Sequence, residues 1–167
     1  VYKSLFFMKK VLYLHGLESK QGGPKVEFLR TKGIVYAPEM DYRSLNFNEQ
    51  VLKIIKFRPD LVIGSSMGGY VAHLIANYIG IPSILFNPAF HSRSFEPNID
   101  SKYFILLSSK VKHMVVLGKQ DKIIDPNVTK LMLQEQPNYS IYEREFGHRT
   151  SLSNFIDFYT MYENRIK

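Results

Sequence analysis

Apolar residues are spaced along this chain in two rhythms. Short runs of β-branched and aliphatic residues (Val11–Leu14, Gly33–Tyr36, Leu61–Gly64, Ser83–Phe86, Met114–Leu117 and Ser140–Glu143) have the length and make-up of strands. Between them lie longer amphipathic stretches, which predict helices over Pro24–Thr31, Asn48–Phe57, Met67–Ile79, Ser101–Ser108, Asn127–Gln134 and Ser151–Ile166. The central short runs are continuously apolar, as expected of parallel strands covered on both faces. Punctuation agrees: Pro24 at a helix start, Gly33 and Gly80 after helix ends, and Ser151 as an N-cap. Alternating units of this kind predict an α/β fold, a three-layer α/β/α sandwich around a mostly parallel six-stranded sheet. Ligands in such sheets sit outside the carboxyl ends of the strands. The residues just after each strand are therefore where chemistry is sought.

Composition narrows the picture. At 167 residues, 45% hydrophobic and 22% charged, the chain has an ordinary globular make-up and enough length for one well-filled core. No repeat or linker divides it, so residues 11–167 read as a single domain. Residues 1–10 read as an N-terminal extension leading into the first strand; Met8 is a candidate natural start, with the first seven residues unstructured. The apolar run ending at Met8 is too short for a signal segment and is followed by Lys9 and Lys10. Leu61 to Phe90 carries no formal charge, yet its glycines, serines, Asn77, Pro82 and Asn87 suit strand, helix and strand better than a membrane span. A cytoplasmic location is expected, without membrane partners. The net charge of +7 is spread along the chain rather than gathered in a basic stripe, so no nucleic-acid partner is expected.

Some chemistries drop out. Without cysteine there is no thiolate ligand, disulfide or Cys nucleophile. No H-E-x-x-H or clustered ligand set predicts a metal, and Gly16 to Lys25 lacks the ending of a phosphate-binding loop. No cofactor is expected. What stands out is Gly64-Ser65-Ser66-Met67-Gly68 between an apolar strand and an amphipathic helix. G-x-S-x-G in strand–turn–helix context is a nucleophile elbow: glycines let strand and helix approach, and the sharp turn exposes the central serine. Ser66 Oγ would then stand at a helix N-terminus, where amides and the helix dipole favour developing negative charge. At the end of the first strand, His15-Gly16-Leu17 would turn the backbone toward Ser66. The Leu17 and Met67 amides are the candidate oxyanion hole, and His15 reads as a loop-shaping residue.

With these pieces the chain resembles the α/β-hydrolase superfamily and, within it, the small YqiA/YcfP-like esterases. The likeness rests on YLHG at the end of the first strand, the loop from Glu18 to Lys25, and GSSMGGY. Asn87-Pro88-Ala89 after the next strand, then G-x-x-D and a late G-H, complete it. It runs in order from Val11 to Phe158. The resemblance implies a minimal fold with little or no cap, strand order 2-1-3-4-5-6, a Ser–Asp–His triad, and hydrolysis of small esters or thioesters.

In this fold the base follows the serine and the acid in the chain. His73 is seven residues into the helix after Ser66, ~10 Å along its axis, and cannot reach Oγ. His113 precedes a strand, at the wrong edge of the sheet. His148, after Gly147 and beyond the last strand, is the candidate base. The acid lies in Gly118–Pro126. Asp121 matches the superfamily's G-x-x-D-x-x-[VI] loop and is favoured, whereas Asp125 before Pro126 reads as a helix N-cap and is the alternative acid. The function expected is a serine esterase cleaving small carboxylic esters through an acyl-enzyme on Ser66. A thioesterase or small-acyl amidase with the same groups, or a binding module on this fold, are the rivals.

Overall fold

Six strands build one sheet, and every pairing in it is parallel: β1 (Lys10–Leu14), β2 (Ile34–Tyr36), β3 (Leu61–Ser65), β4 (Ser83–Phe86), β5 (His113–Gly118) and β6 (Tyr139–Arg144). Their order is β2-β1-β3-β4-β5-β6, the order expected. The computed structural model of the chain describes residues 8–104 and 110–166, so of the extension expected over residues 1–10 the first seven lie outside the described residues, and its last, Lys10, already opens β1. Register aligns the carboxyl ends: Leu14 pairs with Gly64, Ser65 with Phe86, Phe86 with Val116 and Leu117 with Glu143. The loops after β1, β3, β4, β5 and β6 thus leave from one edge.

The two faces of the sheet follow from the period-two alternation of side chains along a strand. Leu12, Leu14, Val62, Leu85, Val115 and Leu117 face one layer, with α2 (Phe47–Phe57) and α3 (Met67–Ile79) packed on them and α4 (Pro126–Leu133) adding Leu133. Val11, Tyr13, Ile63, Ile84, Phe86 and Val116 face the other, covered by α1 (Pro24–Arg30) and α5 (Leu152–Ile166) through Val26, Leu29, Phe155, Phe158 and Tyr159. Central strands are buried on both faces, which is why their sequences are uninterrupted apolar runs. Each such side chain stabilises the fold by about 1.5–3 kcal/mol on burial. The charge-free stretch from Leu61 to Phe90 resolves into β3, α3 and β4. No helix among the described residues is long and apolar enough to cross a membrane.

Local expectations held at several ends and failed at others. Pro24 opens α1, Gly80 closes α3 in the left-handed region at φ 83°, and Ser151 Oγ accepts the Asn154 N–H at the start of α5. Gly33 also follows the end of α1, though without a left-handed backbone. Its missing Cβ lets the chain pass within a clash distance of Lys9 O, where Ile34 N–H donates to begin β2. The helix expected over Ser101–Ser108 is a single 3₁₀ turn, Ser101–Tyr103, in its described part, capped by Asp100. Phe104 leaves the helical conformation, and residues 105–109 lie outside the described residues. Along α3 burial is continuous from Met67 to Asn77 rather than confined to one stripe, because the helix is wedged between β3–β4 and its neighbours. Tyr78, just past that run, is exposed and stacks edge-on with Tyr103.

Candidate active site

Ser66 is the single residue between β3 and α3. Its backbone is in the left-handed region, φ 54° and ψ −120°, a conformation that costs a non-glycine residue about 1–3 kcal/mol. Surrounding bonds hold it there. Ser66 N–H donates to Phe86 O at 3.0 Å, and its carbonyl accepts from Tyr70 N and Ala89 N, each at 3.0 Å. Glycines make the turn sterically possible. A Cβ on Gly64 would stand 2.2 Å from Gly68 O, and one on Gly68 would stand 2.3 Å from Leu14 O and 2.4 Å from His15 O. The helix start is therefore pressed against both its own strand and the end of β1. Serine at an N-cap ordinarily turns its hydroxyl onto the helix amides. Ser66 makes no such bond, and its Oγ lies 3.0 Å from His148 Nε2.

His148 lies in the loop after β6, and its Nδ1 is 2.8 Å from Asp121 Oδ2. A carboxylate only accepts, so the neutral ring carries its proton on Nδ1 and offers the Nε2 lone pair to the Ser66 hydroxyl. Asp121 is fully buried at its side chain, and its other oxygen accepts from Ile123 N at 2.8 Å and Ile124 N at 3.0 Å. Three donors on one carboxylate fix its plane and keep its charge satisfied away from water. Asp125 has a different place: it caps α4, accepting the Asn127 N–H at 2.9 Å. The structure thus brings together Ser66, His148 and Asp121 and leaves Asp125 out of the cluster. His113 opens β5 at the opposite edge, where its Nδ1 accepts from Ser83 Oγ at 2.7 Å.

The loop after β1 adjoins the same turn. A Cβ on Gly16 would meet Ser66 Cβ at 3.5 Å. His15 is 2% exposed; its Nδ1 donates to Gly16 O at 2.7 Å and its Nε2 accepts the Met40 N–H at 2.9 Å, while its carbonyl accepts from Tyr42 OH. Both ring nitrogens are committed to the backbone, so His15 shapes the loop. Met67 N–H is one of the first-turn amides without an intrahelical acceptor, and Leu17 is half-buried beside the turn. Residues 88–97 fold over the start of α3. Arg93 lies 3.9 Å from the Tyr70 ring centre, donates to Ala89 O and Phe90 O, and pairs with Glu96. Burial pushes the Tyr70 hydroxyl up to about 12, so it stays protonated and donates to Glu96 at 3.1 Å.

A cavity of about 440 Å³ beside the site is lined by His91, Asp121, Ile123 and Asp125. A larger one, about 670 Å³, lies at the amino edge of the sheet around Ser83, His113 and Lys112, away from Ser66. Of the clustered residues only Asp121 lines the smaller one. Among the described residues no group of His, Asp and Glu is placed to hold a metal ion. One residue that matters was singled out in the sequence only as part of a family motif: Asn87, buried behind His148. A carboxamide directly after an apolar strand was its only signal.

A parallel sheet in this order, with a strained serine turn after β3 and a histidine after β6, is the α/β-hydrolase fold. The likeness to that superfamily drawn from the motifs holds. The model of the uncharacterised protein family UPF0227 matches residues 10–106, more than half of the chain, and the chain belongs to this family. A UPF0227 protein of Vibrio cholerae serotype O1 is 26% identical over 152 residues, covering 75% of this chain and 83% of its own. Two solved structures share the fold at lower identity. One is MGS-MChE2, an α/β hydrolase enzyme from a sediment metagenome of the Mar Chica lagoon, Morocco (TM-score 0.64, 18% identity, 94% of this chain and 90% of that one). The other is a monoacylglycerol lipase of Paleococcus ferrophilus (TM-score 0.64, 15% identity, 92% and 91%).

Proposed function

We propose that the protein is a serine hydrolase that cleaves small carboxylic esters through an acyl-enzyme on Ser66. One observation carries the reading: Asp121, His148 and Ser66 form a continuous relay of 2.8 Å and 3.0 Å at the N-terminus of a helix. In the first half-reaction Ser66 Oγ attacks the acyl carbon as its proton passes to His148 Nε2. Asp121 holds the ring by Nδ1 and stabilises the imidazolium. The negative oxygen of the tetrahedral intermediate accepts from the Met67 and Leu17 amides, aided by the dipole of α3. Collapse breaks the ester C–O bond, and the leaving alkoxide takes the proton from Nε2. Water then attacks the acyl-serine with His148 as base, releasing the acid and restoring Ser66.

No metal or cofactor enters these steps, and a cytoplasmic enzyme with a small-molecule substrate is the setting proposed. The short segment from Asn87, with Phe90, Phe95 and Pro97, supports a lip over the site rather than a deep acyl tunnel, and so acyl groups of two to six carbons. A thioesterase or small-acyl amidase would use the same groups, since the pocket rather than the relay selects the leaving group. The test is hydrolysis of p-nitrophenyl esters and acyl thioesters of graded chain length by wild type and Ser66→Ala. Ester turnover that peaks at short chains and disappears in Ser66→Ala supports the reading. Turnover that survives in Ser66→Ala overturns it, and thioesters hydrolysed far faster than esters move it to the thioesterase.

A further inference from the structure

We propose that Asn87 is a positioning residue of this site, a tether that sets where His148 stands relative to Asp121. The proposal rests on the reading of Ser66, His148 and Asp121 above. Asn87 follows β4 directly, is 1% exposed, and has a left-handed backbone at φ 42°. Its own N–H donates to Val116 O at 2.9 Å, which fixes the residue against β5. Its carboxamide is then fully used. Oδ1 accepts the Gly118 N–H at 2.8 Å, at the root of the loop carrying Asp121. Nδ2 donates to Gly147 O at 3.1 Å and His148 O at 2.9 Å. One side chain therefore joins the backbone of the acid loop to the backbone of the base loop.

The position calls for a carboxamide. The base loop has left β6 at Arg144, so no strand partner orients the peptides around His148. Apart from the ring's own bond to Asp121, the other backbone ties to the acid loop stop short of the histidine: Gln120 N–H to Phe146 O at 3.0 Å, and the contact of Gly118 with Gly147, where a Cβ would come within 2.4 Å of the carbonyl. Two donors and one acceptor, at the reach of an asparagine, match two carbonyls and one amide. Aspartate in its place would turn oxygen lone pairs toward both carbonyls. Alanine would take this partner from one buried amide, Gly118 N–H, and from two part-buried carbonyls, Gly147 O and His148 O. An imidazole displaced by ~1 Å loses roughly 10²-fold in rate even when the fold survives.

Two variants test this. Asn87→Gly removes the side chain and accepts the left-handed backbone, and Asn87→Asp keeps the shape while removing both donors. Each is checked for folding by circular dichroism, then assayed for kcat and KM on p-nitrophenyl acetate. In parallel, proton NMR follows the His148 Nδ1–H resonance. A tether predicts kcat lower by roughly 10²-fold with KM within about threefold, and a Nδ1–H signal shifted or broadened by exchange. A folded variant that keeps kcat within threefold and an unchanged Nδ1–H signal overturns the proposal. So does failure of both variants to fold, which would make Asn87 a staple of the fold alone. A wild type inert toward the ester overturns the reading of the site instead, and the Nδ1–H signal then tests the tether by itself.

Discussion

Acid should destabilise this protein through two histidines that take no part in the chemistry. His73 on α3 and His113 at the start of β5 face each other, ring centres 4.9 Å apart, inside a polar chain that runs from Ser83 to Tyr139. His113 Nδ1 accepts from Ser83 Oγ, and its Nε2 donates to Asn77 Oδ1 at 2.8 Å; Asn77 Nδ2 in turn donates to His73 Nε2 at 3.1 Å. The rings touch Phe90 and Tyr139 as well. Burial depresses His73 from 6.5 to about 4, and burial with the neighbouring His73 depresses His113 to about 3. Both are thus neutral in the fold and bind protons more readily in the unfolded chain. Their stabilisation is complete above pH 6.5 and is lost as pH falls from there toward 4. At pH 5 the imbalance costs on the order of 2 kcal/mol for each ring, a large share of the ~5–15 kcal/mol that holds a domain folded. Urea unfolding at pH 7 and pH 5 measures it, comparing wild type with the double variant His73→Gln, His113→Gln. Every other group is shared by the two proteins and cancels in the comparison. Wild type should lose about 4 kcal/mol more than the variant between the two pH values. Equal losses, or a ring whose NMR titration midpoint is near 6.5, would refute the reasoning.

The other predictions concern the site and its support. Asp121→Asn should remain folded and lose roughly 10⁴-fold in kcat, whereas Asp125→Asn should keep kcat and lose ~1 kcal/mol of stability; a thermal melt and an ester assay on both decide it. Gly68→Ala drives a methyl into the Leu14 and His15 carbonyls and should lower the melting temperature and abolish turnover together. Gly80→Ala, left-handed but in open space, should cost only ~1–2 kcal/mol in urea unfolding and spare activity. The kcat/KM for p-nitrophenyl esters should peak between two and six acyl carbons, and a value still rising through twelve would remove the shallow lip from the account.

Much of this was legible because strand and helix signals in a parallel sheet are local. Leu61–Ser65 is buried on both faces, and Met67–Ile79 follows with no loop between, so the turn at Ser66 could be read from five residues. That Asp125 would cap a helix was legible too, since Pro126 marks a helix start. What could not be read depends on contacts distant in sequence. Asn87 meets Gly118, Gly147 and His148 across 31, 60 and 61 positions, and no spacing rule links them. His73 looked like one more residue on a helix, yet beyond Asn77 one turn along α3 its ring bonds to Tyr139 at the start of β6, 66 positions away. In its described part the segment at Ser101–Tyr103 makes only one turn before Phe104 leaves the helical conformation, and a helix signal over so few residues is weak.

The central claim is that Ser66 is a nucleophile activated by His148. It is tested most directly by incubating the folded protein with a fluorophosphonate, which needs an activated serine and no knowledge of the substrate, and locating the adduct by peptide mass spectrometry. The account predicts stoichiometric phosphonylation of Ser66, lost in Ser66→Ala and slowed at least 10³-fold in His148→Ala, on the scale of losses when one member of such a relay is removed. An adduct on Ser65 that persists in Ser66→Ala, or a wild type that stays unlabelled, would contradict it.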